Sequence, residues 1–369
     1  MTDCRVSDLS SVFPVESANP FSLSAPEKRA FLNARLLPLL RHHAASCESY
    51  ARMLKALNCD VTAPGISADF TDLPFLPVGL FKRLKLCSVP EREIFKTVTS
   101  SGTSGQSVSR IYLDRHNAAL QQKVLVSIVS SFLGKARLPL LIIDCPAVIK
   151  NRALFSARGA GVLGFSIFGS DRTYALNDDL SLNLNAVRAF MERHAGEKIL
   201  LFSFTYVLWQ YFCGSLEKSP WRPDLSQGIL FHGGGWKRLA SLNITRDELY
   251  ARLKALTGLQ DIHDYYGMVE QAGSIFVECS YGHLHCADCS DVLTRRERDL
   301  SLCAMGEEGI IEVISLLPTS YPGNLLITDD RGVILGEDDC PCGRKGKYFK
   351  VTGRLPRAEV RGCSDTYRL

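Results

Sequence analysis

Leu138-Pro139-Leu140-Leu141-Ile142-Ile143-Asp144 is a continuous apolar run ending on a carboxylate. It fits a strand buried on both faces. Lys198-Ile199-Leu200-Leu201-Phe202-Ser203-Phe204 and Gly228-Ile229-Leu230-Phe231 repeat the type, with helical patterns between them. Strands alternating with helices predict an α/β fold, its sheets mostly parallel and flanked by helices. Ligands of such sheets gather at the carboxyl ends of strands, so the segments following these runs are where chemistry is expected.

Towards the N-terminus, Ser24-Ala25-Pro26-Glu27 is a capping box with proline in the first turn. It predicts a long helix through Leu57, with Phe31, Leu36, Leu40 and Tyr50 facing the core. His42 and His43 on it read as surface residues. Leu73-Pro74-Phe75-Leu76-Pro77-Val78-Gly79-Leu80-Phe81-Lys82 is punctuated by prolines and reads as a packed loop. Arg92 to Val98 and Ile111-Tyr112-Leu113 read as strands, and His116 to Phe132 as a helix.

The chain has 369 residues, 46% of them hydrophobic, enough for one large or two coupled domains with a sizeable core. A net charge of +4 with scattered basic residues gives no sign of nucleic-acid binding. Met1-Thr2-Asp3-Cys4-Arg5 leads into no signal-peptide core, and no run approaches membrane-spanning length. With 13 cysteines and no such leader, reduced thiols or metal ligands in a cytoplasmic protein are expected rather than disulfides.

Between two of the strands lies Thr99-Ser100-Ser101-Gly102-Thr103-Ser104-Gly105-Gln106, dense in hydroxyls and glycines. Its glycines let backbone N–H groups converge on an anion, and its hydroxyls add donors. It lacks the lysine of a Walker A loop, which argues against a generic phosphotransferase; alone, it also reads as a flexible connector. Four further segments follow. Phe231-His232-Gly233-Gly234-Gly235-Trp236-Lys237 leaves a strand on bare backbone, where a flat ligand could lie or a plain turn could form. Asp264-Tyr265-Tyr266-Gly267-Met268-Val269-Glu270-Gln271 offers an aromatic for stacking and a carboxylate for a divalent cation. Leu325 to Leu335 reads as a hairpin with Asp329 and Asp330 at its turn. Lys350 to Cys363 carries Arg354, Arg357 and Arg361, candidates for phosphate or ribose contacts.

In this order and spacing the five segments resemble the core motifs of the adenylate-forming superfamily of acyl and aryl ligases. The hydroxyl loop, His232-Gly233-Gly234-Gly235-Trp236 and Arg361-Gly362-Cys363-Ser364-Asp365 resemble the acyl-protein synthetases of luminescence fatty-acid reductase complexes. They are also similar to the adenylating maturation factors of phenazine antibiotic biosynthesis. The resemblance runs from about Pro74 to the end and implies the large N-terminal domain of such an enzyme, with 1–325 as adenylation core and 326–369 as terminal hairpin and truncated hinge.

The resemblance also implies roles. Ser100, Ser101, Gly102, Thr103, Ser104 and Gly105 would wrap the β- and γ-phosphates of ATP. Gly233, Gly234 and Gly235 would form the adenine floor, with Tyr266 stacking beside Gly267. Glu270 would bind Mg²⁺, Asp330 the ribose hydroxyls, with Asp329 competing for that role, and Arg354 the ribose or α-phosphate. Phe202, Ser203, Phe204, Tyr206 and Trp209 would line the acid pocket. Thr103, Glu270, Arg354 and Cys363 are the residues expected to serve catalysis. Relatives carry a lysine soon after the hydroxyl loop; here Gln106-Ser107-Val108-Ser109-Arg110 follows, with Arg110 the nearest substitute.

Family ligases continue into a mobile cap that supplies a catalytic lysine, whereas this sequence ends at Leu369. The expectation is an absent cap, slow adenylation unless a partner completes the site, and no coenzyme A thioester by cap rotation. Cys363 is then the expected acyl acceptor, its thiolate favoured by Arg361, handing the acyl group to a reductase; a terminal thiol with no role is the alternative.

Cys279-Ser280-Tyr281-Gly282-His283-Leu284-His285-Cys286-Ala287-Asp288-Cys289 and Cys340-Pro341-Cys342 are soft-ligand clusters that suggest structural Zn²⁺, against a reading as free thiols. Phenylacetate-ligase-like relatives match Cys279, His285, Cys340 and Cys342 best, with Cys286 and Cys289 as an alternative pair.

The expected activity joins ATP and a carboxylic acid into an acyl-adenylate with loss of pyrophosphate, by positioning and charge neutralisation. The phenazine resemblance implies an aromatic acid, the expected substrate because Phe202, Phe204, Tyr206 and Trp209 lean towards a flat ring; the luminescence resemblance implies a fatty acid as the alternative. A non-catalytic nucleotide- or product-binding subunit is the rival, with less use for both Glu270 and Asp330.

Overall fold

The computed structural model describes residues 19–100, 108–150, 157–234, 239 and 244–355. Its strands are β1 (Leu76–Pro77), β2 (Lys96–Thr99), β3 (Arg110–Leu113), β4 (Leu138–Ile142), β5 (Gly169–Tyr174), β6 (Ile199–Phe204), β7 (Gly228–Gly233), β8 (Asp261–Tyr266), β9 (Phe276–Glu278), β10 (Leu284–His285), β11 (Ser290–Arg295), β12 (Glu308–Ser315), β13 (Leu325–Glu337) and β14 (Lys347–Arg354). The longer helices among the described residues are α1 (Ala25–Ser46), α2 (Glu48–Ala56), α3 (Arg115–Leu133), α4 (Ala157–Phe165), α5 (Leu184–Arg193) and α6 (Arg246–Thr257). The α/β class expected from the apolar runs is what the chain adopts. It divides into two units, one built from residues 19–99, 108–132 and 267–355, the other from 100, 133–150, 157–234, 239 and 244–266.

In the second unit the apolar runs become strands of a parallel sheet in the order β5-β4-β6-β7-β8. All six residues of β6 and all six of β7 are buried. One face packs Leu201 and Leu230 against Phe190 of α5 and Leu249 and Leu253 of α6, all fully buried. Each such side chain contributes about 1.5–3 kcal/mol by leaving water. The chain runs from β4 outward to β5 and returns on the other side as β6. The topological switch point therefore lies between the carboxyl ends of β4 and β6, where α/β sheets bind ligands.

The first unit is antiparallel, with strand order β11-β12-β13-β14-β10-β9 and the short β1 parallel to β13 at Leu76–Leu326. Separately, β2 and β3 pair from Lys96–Leu113 to Thr99–Arg110, so the hydroxyl loop connects two partnered strands.

Three expectations are corrected. Leu325 to Leu335 is no hairpin with Asp329 and Asp330 at its turn but one strand through Glu337, its glycines absorbed where the register with β14 shifts. The turn falls between Glu337 and Lys347 instead. The N-terminal helix breaks at Cys47, whose extended backbone ends α1 and precedes α2. His43 is fully buried, not on the surface: Nε2 lies 3.3 Å from the Pro318 carbonyl and Nδ1 2.7 Å from Ser88 Oγ. Donation to the carbonyl leaves Nδ1 to accept from the serine, and burial pushes the imidazole down to about 3. No helix among the described residues is long and apolar enough to cross a membrane.

Candidate active site and metal centre

The carboxyl ends of β6, β7 and β8 stand in register, Ser203 beside His232 and His232 beside Asp264. Gly233, the last residue of β7, carries no side chain because there is no room: a Cβ there would lie 2.8 Å from both the ring and the carbonyl oxygen of Tyr265. Gly234 has φ +68°, a left-handed conformation that glycine adopts without cost. The Thr205 N–H donates to the Gly234 carbonyl at 3.2 Å, holding the strand-to-loop exit. Tyr266, half-buried, ends β8. Strand alternation sends Tyr265 and Tyr266 to opposite faces, and Tyr265 is the ring that abuts Gly233. Sequence reasoning singled out Tyr266 and passed over Tyr265. Gly235 lies outside the described residues.

The segment expected to line an acid pocket spends much of its chemistry on packing. Phe202 stacks on Phe165 at 4.3 Å, Phe204 meets Phe202 edge-on at 5.6 Å, and both are buried. The Ser203 hydroxyl donates to the Ile143 carbonyl at 2.8 Å, tying β6 to the residue after β4. Trp209 lies under the Arg252 guanidinium, 4.1 Å from its ring centre, and Arg252 is bidentate to Glu217 at 2.7 Å. Tyr206 meets Tyr211 edge-on at 6.1 Å. What the sequence did not reveal is Gly161 on α4, whose absent side chain admits the tips of Phe202 and Phe204 and the Tyr265 hydroxyl.

In the first unit β13 and β14 bring Asp330 opposite Arg354, whose Nε lies 2.8 Å from Asp330 Oδ1. Arg354 Nη2 reaches Asp329 Oδ2 at 3.5 Å. Glu270 sits buried in a short 3₁₀ turn, Val269–Gln271, that follows Gly267. Burial pushes its carboxyl up and Asp329 adds to the rise, while the Ser109 hydroxyl and the Lys82 ammonium pull it down. A buried carboxylate whose ionised form is so costly fits a divalent cation. Lys82, in the 3₁₀ turn Val78–Lys82 after β1, is a cation that sequence reasoning overlooked. Ser100 follows β2 and is half-buried. Ser101, Gly102, Thr103, Ser104, Gly105 and Cys363 lie outside the described residues.

The same unit gathers Cys279, His285, Cys340 and Cys342, with ligand atoms all within 4.8 Å of one another. Cys279 and Cys340 sulfurs are 3.9 Å apart and Cys342 Sγ is 3.3 Å from His285 Nε2. Tetrahedral zinc with sulfur at about 2.3 Å sets ligand atoms at such separations. His285 Nδ1 is buried with no hydrogen-bond partner among the described residues. Burial pushes that imidazole down to about 3, keeping the neutral form that offers a lone pair, and pushes the Cys279 and Cys340 thiols up, a penalty a bound cation offsets. His283 Nδ1 also lies 3.3 Å from Cys340 Sγ.

Against known proteins, residues 5–368 match the family model described as acyl-protein synthetase, LuxE. A long-chain-fatty-acid–luciferin-component ligase of Vibrio harveyi is 20% identical over 354 residues, covering 94% of this chain and 89% of the relative. One of the same description from Photorhabdus luminescens is 30% identical over 89 residues, 24% of this chain and 73% of the relative. Among solved structures, an open conformation of 2-hydroxyisobutyryl-CoA ligase with 2-HIB-AMP and CoA superposes with a TM-score of 0.71 at 14% identity, covering 94% of this chain and 74% of that one. The same ligase in its postadenylation state gives 0.69, covering 93% and 72%.

Proposed function

The chain belongs to the acyl-protein synthetase family LuxE and is an adenylate-forming ligase, and from that premise we propose that it joins ATP and a carboxylic acid into an acyl-adenylate and pyrophosphate. The observation that carries this reading is the Asp330–Arg354 pair, a carboxylate to accept ribose hydroxyls beside a guanidinium to meet phosphate, in the unit that also buries Glu270. Gly233 and Gly234 supply bare backbone for the adenine. The substrate carboxylate attacks the α-phosphorus, the bond to pyrophosphate breaks, and N–H donors and cations absorb the charge that leaves. Mg²⁺, when bound, neutralises triphosphate charge, and Glu270 is the residue that would hold it. Lys82 and Arg110 are cations able to serve phosphates where the lysine after the hydroxyl loop is absent.

The acid class favoured is a long-chain fatty acid, the substrate named for both luciferin-component ligases. An aromatic acid of the phenazine type is the second class; the rings of Phe202 and Phe204, which spoke for it, are buried against Phe165 and Gly161. Cys363 is the proposed acceptor. Its sulfur bonds to the acyl carbon, AMP leaves, the thiol proton passes to water, and a reductase consumes the thioester. Cys279, His285, Cys340 and Cys342 are the proposed ligands of one structural Zn²⁺.

Acid-dependent exchange of labelled pyrophosphate into ATP tests the reaction, with fatty and aromatic acids side by side. Exchange with neither class, by protein that binds ATP, would leave a nucleotide-binding subunit. Mass spectrometry after incubation with ATP and acid tests the acceptor, and labelling that persists in Cys363→Ser removes it.

A further inference from the structure

Thr205 and Gly234 meet at the carboxyl end of the parallel sheet, and a buried histidine ties them together. His232 has no exposed surface. Its Nδ1 lies 2.9 Å from Thr205 Oγ1 and 3.7 Å from Asp264 Oδ1, and its Nε2 lies 3.1 Å from the Tyr250 hydroxyl on α6. Thr205 in turn grips the glycine exit through its own N–H on the Gly234 carbonyl, at 3.2 Å. We propose that His232 is a positioning residue for the nucleotide, locking the adenine floor at Gly233-Gly234 to Thr205 and to α6 so that the floor is set before ATP arrives. This rests on the assignment of those glycines to adenine.

The physical case is one of rigidity. A glycine run gains its close approach at the cost of backbone freedom, so a floor of bare backbone is useful only if neighbouring groups hold it. Here one imidazole reaches the residue after β6, the strand β8 and α6 at once. Burial keeps it neutral, pushed down to about 3, with Arg246 and His263 adding to the fall. A neutral imidazole carries one proton, and the Asp264 carboxylate beside Nδ1 favours that nitrogen as the donor. Nδ1–H then serves Thr205 Oγ1 and Nε2 accepts from the Tyr250 O–H. With both nitrogens engaged and no exposure, His232 is no acid or base for the reaction. Its contribution is geometric, and it differs from that of a core residue in being specific to the base of the nucleotide.

The experiment measures binding and exchange for the whole chain with His232→Phe, His232→Asn and Thr205→Val. Calorimetry compares ATP, GTP and inorganic tripolyphosphate as ligands. Loss of the lock is expected to weaken ATP and raise its KM in pyrophosphate exchange about tenfold, the scale of one buried hydrogen bond left unmade. Tripolyphosphate affinity and kcat stay within about threefold in the same comparison. The preference for ATP over GTP narrows, His232→Asn recovers part of the loss, and the Phe/Val double variant is no worse than either single one. Variants that lose melting temperature but bind ATP as the wild type does would overturn the proposal, as would equal losses for ATP and tripolyphosphate. Should His232→Phe not fold, Thr205→Val carries the same comparison. If the wild type binds ATP without acid-dependent exchange, the adenylation reading fails while the binding comparison still decides the role of His232. If it binds no adenine nucleotide, both fall.

Discussion

Asp330 and Arg354 face each other across the antiparallel pair of β13 and β14, Nε to Oδ1 at 2.8 Å, while the next carboxylate along, Asp329, meets the same guanidinium only at 3.5 Å. Opposed residues on neighbouring strands hold their side chains in fixed relation, so the carboxylate and the guanidinium are set against each other by the sheet itself. On these distances we rank Asp330 ahead of Asp329 as the proposed ribose ligand.

Asp330→Ala is expected to cut acid-dependent exchange about a hundredfold, the usual scale for losing a preorganised contact to a reacting nucleotide. Asp329→Ala should cost much less. Arg354→Lys, keeping charge but losing the planar fork, should fall between them. Equal losses for the two aspartates, measured as kcat/KM for ATP, would refute the ranking.

Gly233→Ala places a methyl 2.8 Å from the Tyr265 ring and carbonyl oxygen. The ring can move but the carbonyl belongs to β8. Destabilisation of about 1–3 kcal/mol is expected from such overpacking, read as a lowered urea midpoint. Tyr265→Leu in the same chain should recover only part of it. Complete recovery would show that the ring, and not the strand, sets the close approach.

Much of this was legible in the chain. Leu138–Asp144, Lys198–Phe204 and Gly228–Phe231 announced buried parallel strands because each is apolar on both faces, and they occupy neighbouring positions in one sheet. Cys279, His285, Cys340 and Cys342 were legible as types, though their meeting depends on β10 pairing with β9 and β14. The strand β13 was misread because Asp329-Asp330-Arg331-Gly332 has turn composition; pairing with β12 and β14 overrides that local preference. His43 was misread as a surface residue, and Lys82 and Tyr265 were passed over, because their partners are distant in sequence.

Glu270 gives a pH signature. Its carboxyl is raised from an ordinary value of 4.5, chiefly by burial, so the folded chain holds that proton more tightly than the unfolded chain. The stability this contributes is complete below the unfolded-state value and is lost as pH climbs through the raised one. In magnesium-free buffer, Glu270→Gln should match the wild type in melting temperature at acid pH and surpass it increasingly towards neutrality. Added Mg²⁺ should stabilise the wild type and leave the variant unchanged. A constant difference at all pH values would contradict the burial effect.

For the sulfur cluster, purified protein should carry about one zinc per chain, four protein ligands making a closed structural site. Cys340→Ser should lose the metal and lower the melting temperature, and a strong chelator should do the same to the wild type. Cys286→Ser, at a buried cysteine outside the cluster, should keep it. Protein grown with ample zinc yet free of it on elemental analysis would show four thiol and imidazole groups packed without a metal.

Asp144 and Arg158 form an ion pair that no motif advertised. Asp144 lies just beyond β4 and Arg158 at the start of α4, with Nε 2.6 Å from Oδ2, and both are essentially without exposure. Asp144 also accepts from the Cys145 N–H at 2.6 Å, so the carboxylate joins strand end, turn and helix beside the switch point of the sheet. Breaking one side of a buried pair strands a charge, whereas replacing both sides with apolar groups removes the charges together. Asp144→Asn should therefore lower stability by about 3–5 kcal/mol, seen as a fall in the urea midpoint at unchanged slope. The double replacement Asp144→Leu with Arg158→Met should restore most of it, because desolvation of the two ions is no longer required. If the single variant unfolds at the wild-type midpoint, the pair adds nothing to the fold and its burial needs another cause. If the double variant is folded but fails in exchange, the pair's role is to shape the turn that follows β4 for the reaction.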